Sequence, residues 1–147
     1  MRNEKVKQVK KIILGLTVMA QKKDLHRNKY GLAWQYNFSI ATNKGRYAAI
    51  FTDSINNHNN NIPVNLDDIL YSWIVDADSF NYTKNFNEFC LEYGYDFQQY
   101  DKYDNKYRVG KQKAEKAWRG CKHAYNKMIE LLTEEEIEKL HDIFKDY

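Results

Sequence analysis

Residues 85–96, NFNEFCLEYGYD, are the stretch that decides the fold. Asn85, with Glu88 three positions later, matches a capping box, and Gly94 is the residue type that ends a helix in the left-handed conformation. The bulky side chains between these signals recur at i, i+3, i+4 and i+7, namely Phe86, Phe89, Cys90 and Tyr93. This spacing places them on one face of a short helix. We therefore expect this helix to dock between the helix before it and a long helix after it.

The segment before this helix predicts a central core helix. Asn65 can cap its N-terminus, and Asp67 and Asp68 then lie in its first turn, where acidic side chains complement the helix dipole. Its wide apolar face consists of Leu66, Ile69, Leu70, Trp73, Ile74 and Ala77. Asp76 and Asp78 fall near its C-terminal end, either as a solvated helix end or as a functional acidic patch.

The segment after the short helix predicts a loop and then two helices. Residues 97–110 lack a clear period and are expected to form an exposed aromatic loop. A long helix is predicted from about Lys111 to Leu132, because its apolar residues follow a heptad-like spacing. These residues are Ala114, Trp118, Cys121, Tyr125, Met128 and Leu132. Thr133 and Glu136 form a second capping box, which starts a closing helix. Its inward side chains would be Ile137, Leu140 and Phe144.

A β-hairpin is predicted over residues 33–53. Its two segments alternate bulky with small or polar residues, which is the period-two pattern of a half-buried strand. The bulky or apolar set is Trp34, Tyr36, Phe38 and Ile40 in the first strand and Tyr47, Ala49 and Phe51 in the second. Residues 42–45, TNKG, predict the turn, with Asn43 and Gly45 supplying the positive φ angles.

The N-terminal segment predicts a basic amphipathic helix over residues 5–20 and a basic linker over residues 21–29. The helix rests on apolar side chains spaced by three and four, which are Val6, Val9, Ile13, Leu16 and Ala20. Lys7, Lys10 and Lys11 lie mostly off that stripe. Residues 56–64, NNHNNNIPV, predict a polar surface loop.

These elements together predict the α+β class, as a single domain in which an antiparallel β-hairpin packs against four or five helices. The N-terminal helix and linker would occupy residues 1–29, and the hairpin with the helical core would occupy residues 30–147. A length of 147 residues fits one domain. The predicted core contains Phe38, Ile40, Phe51, Leu70, Trp73, Ile74, Phe86, Phe89, Trp118, Cys121, Tyr125 and Leu132.

The net charge of +3 conceals an uneven distribution of charge along the chain. Residues 1–30 carry a net +7, residues 64–104 a net −7, residues 105–127 a net +7 and residues 128–147 a net −5. Blocks of one sign either mark surfaces for partners or pair with one another within the fold.

The apolar runs are shorter than the ~18 residues of a membrane-spanning helix. The basic start and the apolar run over residues 12–20 suggest a signal peptide, but Gln21, Lys22 and Lys23 follow in place of a small-residue cleavage site. We therefore expect no membrane association and a location in the cytoplasm.

No recognised catalytic or metal-binding pattern occurs in the sequence. His26, His58, His123 and His141 are scattered, and neither Cys-x-x-Cys nor His-x-x-x-His occurs. A phosphate loop and a G-x-S-x-G motif are also absent. Cys90 and Cys121 lie on apolar helix faces, which predicts buried, reduced thiols. We expect no enzymatic activity, no metal and no cofactor.

The order of these segments resembles a group of small accessory proteins of bacteriophages and other mobile elements. The resemblance rests on the hairpin WQYNFSIATNKGRYAAIFTDS, the helix NLDDILYSWIVDADSF, the F-x-x-F-C-x-E-Y-G-Y-D block and the basic helix KAEKAWRGCKHAYNKM, over roughly residues 34–130. In such proteins the last helix begins soon after the G-Y-D residues, whereas residues 97–110 intervene here. The resemblance implies an accessory protein of a genomic class that includes anti-CRISPR-like inhibitors of host defence, with no catalytic residues to carry over.

The leading hypothesis is a non-enzymatic phage or mobile-element protein that binds a host protein or nucleoprotein in the host bacterial cytoplasm. Candidate surfaces are the basic long helix, a local phosphate-mimicking acidic patch at Asp67, Asp68, Asp76 and Asp78, and residues 97–110. We favour the third surface together with the first, although residues 97–110 are equally explained as a solvated insertion. The predicted partner-binding residues are Tyr100, Tyr103, Tyr107, Arg108, Lys113, Lys116, Arg119 and Lys122.

The alternative hypothesis is a small nucleic-acid-binding accessory protein. Its basic helices would contact phosphates, while Tyr100, Tyr103 and Tyr107 would stack on bases. Asp101 and Asp104 oppose this hypothesis, because their carboxylates repel a phosphate backbone. The oligomeric state is left open by the sequence.

Overall fold

The computed structural model describes residues 8–24, 33–54 and 65–147. Within these residues lie one antiparallel sheet and four α-helices, so the α+β class predicted from the sequence is confirmed. The chain divides into two compact units, Met1–Tyr71 and Ser72–Tyr147. The expectation of a single domain, with the sheet packed on the helices, stays a prediction.

The sheet precedes the helices along the chain. Its strands are β1 (Gln8–Ile13), β2 (Leu16–Asp24), β3 (Ala33–Thr42) and β4 (Gly45–Ser54), in the order β1-β2-β3-β4. The helices are α1 (Leu66–Thr83), α2 (Phe86–Tyr93), α3 (Asn105–Leu131) and α4 (Glu134–Phe144), with a 3₁₀ turn at Phe97–Gln99 between α2 and α3. The polar loop predicted at residues 56–64 lies outside the described residues.

The predicted hairpin is confirmed as β3 and β4, which pair in antiparallel register. Ile40 pairs with Tyr47, and both side chains are buried on the same face. Gly45 has a φ of 142°, which favours glycine, whereas Asn43 does not have the positive φ expected of it. The turn is instead supported by the hydroxyl of Thr42, which accepts a hydrogen bond from the Lys44 amide at 3.0 Å.

The helix predicted over residues 5–20 is wrong wherever the structure describes it. This segment forms β1 and β2, joined at Leu14 and Gly15, whose φ angles are 52° and 79°. Two successive residues with positive φ form the kind of tight turn that reverses a β-hairpin. Leu16, Val18 and Ala20 alternate along β2 and are all buried, so the period of two outweighs the helical spacing. The sheet therefore has four strands where the sequence predicted two.

The basic linker predicted over residues 21–29 is also shorter than expected. Residues 21–24 continue β2, and residues 25–29 lie outside the described part of the chain, as do residues 1–7. Lys11 extends from β1 to the first turn of α1, where its Nζ lies 3.0 Å from Oδ1 of Asp67. Asn65 caps α1 as predicted, accepting a hydrogen bond from the Asp67 amide at 2.9 Å.

The core of the second unit is formed by α1, α2, α3 and α4. Trp73 of α1 is 1% exposed, and its indole nitrogen donates a hydrogen bond to the carbonyl oxygen of Ala124 in α3 at 2.9 Å. The other buried apolar residues of this unit are Ile74, Ala77, Phe89, Cys90, Phe97, Ala114, Ala124, Met128, Leu131, Leu132, Leu140 and Phe144. The buried hydrogen bond fixes α1 against α3, because leaving a buried donor unpaired is costly.

The short helix α2 docks as the sequence predicted. The Asn85 side chain accepts a hydrogen bond from the Glu88 amide at 2.8 Å, and Gly94 ends the helix with a φ of 76°. Phe89 is buried, with its ring centroid 5.3 Å from that of Trp118 in α3. Tyr93 is 43% exposed, so it lies at the margin of the docked face.

The capping box predicted at Thr133 and Glu136 is present, with both reciprocal hydrogen bonds formed. It starts α4, which buries Leu140 and Phe144 as expected. Of the predicted core, the buried residues are Ile40, Leu70, Trp73, Ile74, Phe89 and Leu132. The half-buried residues of the predicted core are Phe38, Phe86, Trp118, Cys121 and Tyr125. The side chain of Phe51 is not among those that the structure describes.

Candidate partner-binding surface

Residues 97–110 are not the exposed loop that the sequence predicted. They form a 3₁₀ turn at Phe97–Gln99 and the first turns of α3, which begins at Asn105 rather than near Lys111. Asp104 caps α3 by accepting a hydrogen bond from the Lys106 amide at 2.8 Å. Asp101 accepts one from the Tyr103 amide at 2.9 Å. Both aspartates therefore hold the backbone in place.

The anchor of this segment is Phe97. Its side chain is 4% exposed and lies in a buried cluster with Cys90 of α2 and Ala114 of α3. Gly110 lies directly against it, so that a Cβ atom at position 110 would be 2.6 Å from Cβ of Phe97. The reading of residues 97–110 as a solvated insertion is therefore wrong for Phe97, which packs into the second unit.

The three predicted tyrosines have different environments. Tyr107 is half-buried and packs edge-on against Phe97, with ring centroids 5.2 Å apart. Tyr100 is 36% exposed, and Nζ of Lys106 lies 5.5 Å from the centre of its ring. Tyr103 is 98% exposed. Of the three, Tyr103 is the one whose ring is almost completely accessible to a partner.

The five predicted cations all lie on α3 and are exposed. Four of them form what we call the basic face of α3, which is defined by Arg108, Lys116, Arg119 and Lys122; the fifth is Lys113. Since a helix turns by about 100° per residue, Arg108, Arg119 and Lys122 lie within about 60° of one another, and Lys116 lies about 60° from Arg119. Lys113 is nine residues before Lys122 and therefore points to the opposite side of α3. The row from Arg108 to Lys122 is about 21 Å long at 1.5 Å per residue.

The basic face carries an excess of positive charge, although Glu115, four residues before Arg119, lies on the same side of α3. Within the described part of the chain, neither its four residues nor Lys113 forms an ion pair. Glu115 is the one acidic residue between positions 105 and 127. Lys111, which the sequence did not mark as a site residue, is also exposed on α3, and its spacing of three from Arg108 was the available signal.

The predicted acidic patch is not a single patch. Asp67 is paired with Lys11, and Asp78 lies 2.9 Å from Nε2 of His141. Asp76 is half-buried, and burial raises the pKa of its carboxyl. Because Asp67 and Asp76 are nine residues apart, they point to opposite sides of α1.

His141 joins α4 to α1, a contact that sequence reasoning missed. Its Nδ1 lies 2.9 Å from the carbonyl oxygen of Ile137, and its Nε2 lies 2.9 Å from Oδ2 of Asp78. Burial lowers the pKa of His141, but the Ile137 carbonyl and the Asp78 carboxylate together raise it above its usual value. Both neighbours are acceptors, so only the protonated imidazolium can donate to both. Asp78 is 63 positions away, and no local pattern marks such a pair.

Both cysteines are held as thiols. Burial, together with the carboxylate of Asp76, raises the pKa of Cys121 to about 11. Burial also raises the pKa of Cys90. The thiolate is the reactive form of cysteine, so neither residue is tuned for nucleophilic attack at neutral pH.

Two further features were sought in the described residues, a metal-binding site and a membrane-spanning helix. In residues 8–24, 33–54 and 65–147, the side chains that the structure describes include no group of three or more His, Cys, Asp or Glu that could hold a metal ion. Over the same ranges, every helix is too short or too polar to cross a membrane.

The fold and the surface together define an α+β protein with a lysine- and arginine-rich helix face that begins five residues after an exposed tyrosine. Comparison of the chain with protein-family models, with curated proteins and with solved structures gave no match. The resemblance to accessory proteins of mobile elements therefore stays a prediction.

Proposed function

We propose that the protein is a non-enzymatic accessory protein of a bacteriophage or other mobile element, which binds a host protein or nucleoprotein and acts as an anti-CRISPR-like inhibitor of host defence. It would do so in the cytoplasm of the host bacterial cell. The single observation that carries the proposal is the exposed basic face of α3, whose four cations have no ion-pair partner among the described residues.

The positions of the positive charges on α3 support a binding role, because these positions do not stabilise the helix itself. Arg119 and Lys122 are three residues apart, as are Lys113 and Lys116, and like charges at this spacing destabilise a helix. Arg108 lies in the first turns of α3, where the helix dipole disfavours a positive charge. An anionic partner would relieve both effects.

The segment before α3 supports the same surface. Its backbone is fixed by Asp101, Asp104 and the buried Phe97, so Tyr103 is presented from an ordered turn. Tyrosine and arginine are the residue types that anchor many interfaces. Tyr103 and Arg108 therefore extend the proposed surface beyond the lysines.

The proposal has two further parts, both expected from the sequence. The first part is that the protein has no catalytic activity, and the second part is that the chain folds as a single domain. The high pKa of Cys121 supports the first part, because a protonated thiol is a poor nucleophile. One cooperative unfolding transition, seen alike by circular dichroism and fluorescence, is expected for the second part. Two separate transitions would contradict it.

A phage-plating assay tests the inhibitor role. The protein is expressed in bacteria that carry active CRISPR interference or restriction, and the plating efficiency of a targeted phage is measured. We expect the wild type to raise plating, R119Q/K122Q to lose the effect, and K139Q/K145Q to retain it. The control removes the same charge from two exposed lysines, Lys139 in α4 and Lys145 directly after it. A wild type that leaves every defence system intact would refute the inhibitor role.

A further inference from the structure

The composition of the basic face distinguishes between two kinds of anionic partner. Protein interfaces are centred on buried apolar and aromatic anchors, and lysine is depleted in them. Along α3 from Arg108 to Lys122, Val109 is the one exposed large apolar side chain, while cations recur at almost every turn. A phosphate backbone, by contrast, requires only a row of cations.

Tyr103 supplies a second, independent feature at one end of this row. Its ring is 98% exposed, whereas Tyr107 packs on Phe97 and Tyr100 lies next to Lys106. The backbone beneath it is held by two hydrogen bonds, from the Tyr103 amide to the Asp101 side chain at 2.9 Å and from the Asp104 amide to the Asp101 carbonyl at 2.8 Å. An aromatic ring beside a basic track is the arrangement with which proteins bind single strands, because a base can stack on the ring.

From these two features we infer that the partner of the basic face is single-stranded nucleic acid, with its phosphates along Arg108, Lys116, Arg119 and Lys122 and one base stacked on Tyr103. This inference rests on the proposed function, since it names the chemistry of the partner at the same surface. Duplex DNA fits less well, because its bases are already stacked and offer no free face to Tyr103.

Three carboxylates oppose this inference, which are Glu115 on the basic face and Asp101 and Asp104 next to Tyr103. The two aspartates have a structural explanation. Each carboxylate accepts a backbone hydrogen bond next to Tyr103. An asparagine oxygen can accept the same bonds, since asparagine caps helices as well as aspartate does. D101N/D104N therefore keeps the turn while removing two charges that repel phosphate, and we expect it to bind single strands several-fold more tightly.

Fluorescence anisotropy with a labelled oligothymidylate of about 20 nucleotides tests the inference. This length is sufficient, since single-strand-binding domains cover about 4–16 nucleotides. Titrations run from about 50 mM salt upward, because phosphate contacts make the affinity fall steeply with salt. We expect R119Q/K122Q to reduce the slope of log K against log salt by about 1.4, at about 0.7 per lost contact. K139Q/K145Q, with the same net charge, should keep the wild-type slope.

Tyr103 is tested in the same titration. We expect Tyr103→Ala to weaken binding about tenfold and Tyr103→Phe to retain it, because stacking needs the ring and not the hydroxyl. Tyr82→Ala is the matched control, since Tyr82 is 72% exposed on α1. The inference is overturned if the wild type fails to bind at about 50 mM salt. It is also overturned if Tyr103→Ala binds like the wild type, or if a duplex of equal length binds more tightly.

Nuclease treatment separates this inference from the proposed function. A host partner that is captured by the wild type and released by nuclease supports the inference. A partner that survives nuclease treatment means that the surface binds protein, which overturns the inference and leaves the proposed function standing. Oligonucleotide binding without any host partner or effect on defence would support the inference and refute the inhibitor role.

Discussion

Gly110 of α3 lies against Phe97 so closely that a Cβ atom on Gly110 would be 2.6 Å from Cβ of Phe97. Phe97 is buried with Cys90 of α2 and Ala114 of α3, and it anchors residues 97–110 within the second unit of the chain. A glycine inside a helix normally weakens it, so its presence here is explained by packing. This relationship determines where Tyr103 and the basic face begin.

We expect Gly110→Ala to destabilise the protein by about 1–3 kcal/mol, because the Phe97 atom in its way is fixed close to the backbone. Gly120→Ala is the matched control in the same helix, since nothing lies within 4 Å of its Cβ position. It should stabilise by about 0.5–1 kcal/mol through helix propensity. Denaturant titration measures both changes. Equal stabilisation by the two alanines would show that Phe97 does not dock on α3.

Phe89 tests the docking of α2. Its side chain is 3% exposed and contacts the aromatic rings of Tyr95 and Trp118. We expect Phe89→Ala to cost about 3–5 kcal/mol, the usual range for removing a buried phenylalanine. Leu91→Ala is the control on the same helix, because Leu91 is 79% exposed and should change stability by less than about 0.5 kcal/mol. A loss below about 1 kcal/mol for Phe89→Ala would exclude Phe89 from the core.

The pairing of His141 with Asp78 predicts a pH dependence of stability. The pKa of His141 is raised in the folded protein, so its contribution to stability is fully present below the unfolded value of about 6.5 and is lost as pH rises through the folded value. Asp78→Asn should remove much of this decline, whereas Asp142→Asn, on the same helix as His141, should not. Thermal unfolding at a series of pH values measures the effect. An unchanged profile for Asp78→Asn would show that the pair does not stabilise the fold.

The raised pKa of Cys121 predicts slow alkylation of its thiol in the folded protein. Since its pKa is about 11 in the folded protein, alkylation by iodoacetamide should be slow at neutral pH and rise until strongly alkaline pH. Asp76→Asn should speed the reaction, because the Asp76 carboxylate contributes to the raised pKa. Unfolded protein is the control and should react with an ordinary cysteine pKa of about 8.5. Rapid labelling of folded Cys121 near pH 7 would contradict the buried-thiol account.

Local signals predicted α2 well, because its cap at Asn85 and its stop at Gly94 act within a few residues of the helix. The N-terminal segment failed because spacing by three and four also contains the alternation of Leu16, Val18 and Ala20, and strand pairing decided between the two periods. The start of α3 was placed too late because residues 97–110 lack a clear period. The contact of Gly110 with Phe97, which fixes this segment, depends on packing that no local pattern reveals.

The candidate site was predictable in composition and less so in arrangement. The spacing of Arg108, Lys116 and Arg119 already marks a basic helix surface. Which tyrosine remains accessible could not be read from the sequence, because Tyr100 and Tyr103 have similar neighbours along the chain. Their exposure differs through Lys106, which lies near the Tyr100 ring, and through the turn that presents Tyr103.

The central claim is that the basic face of α3 binds a host macromolecule. Affinity capture from a host lysate tests it directly, with tagged wild type, R119Q/K122Q and K139Q/K145Q compared side by side and the bound protein and nucleic acid quantified. We expect equal recovery of one partner by the wild type and K139Q/K145Q, and a loss of about tenfold for R119Q/K122Q at physiological salt. Equal recovery by all three proteins, or no specific partner for the wild type, would contradict it.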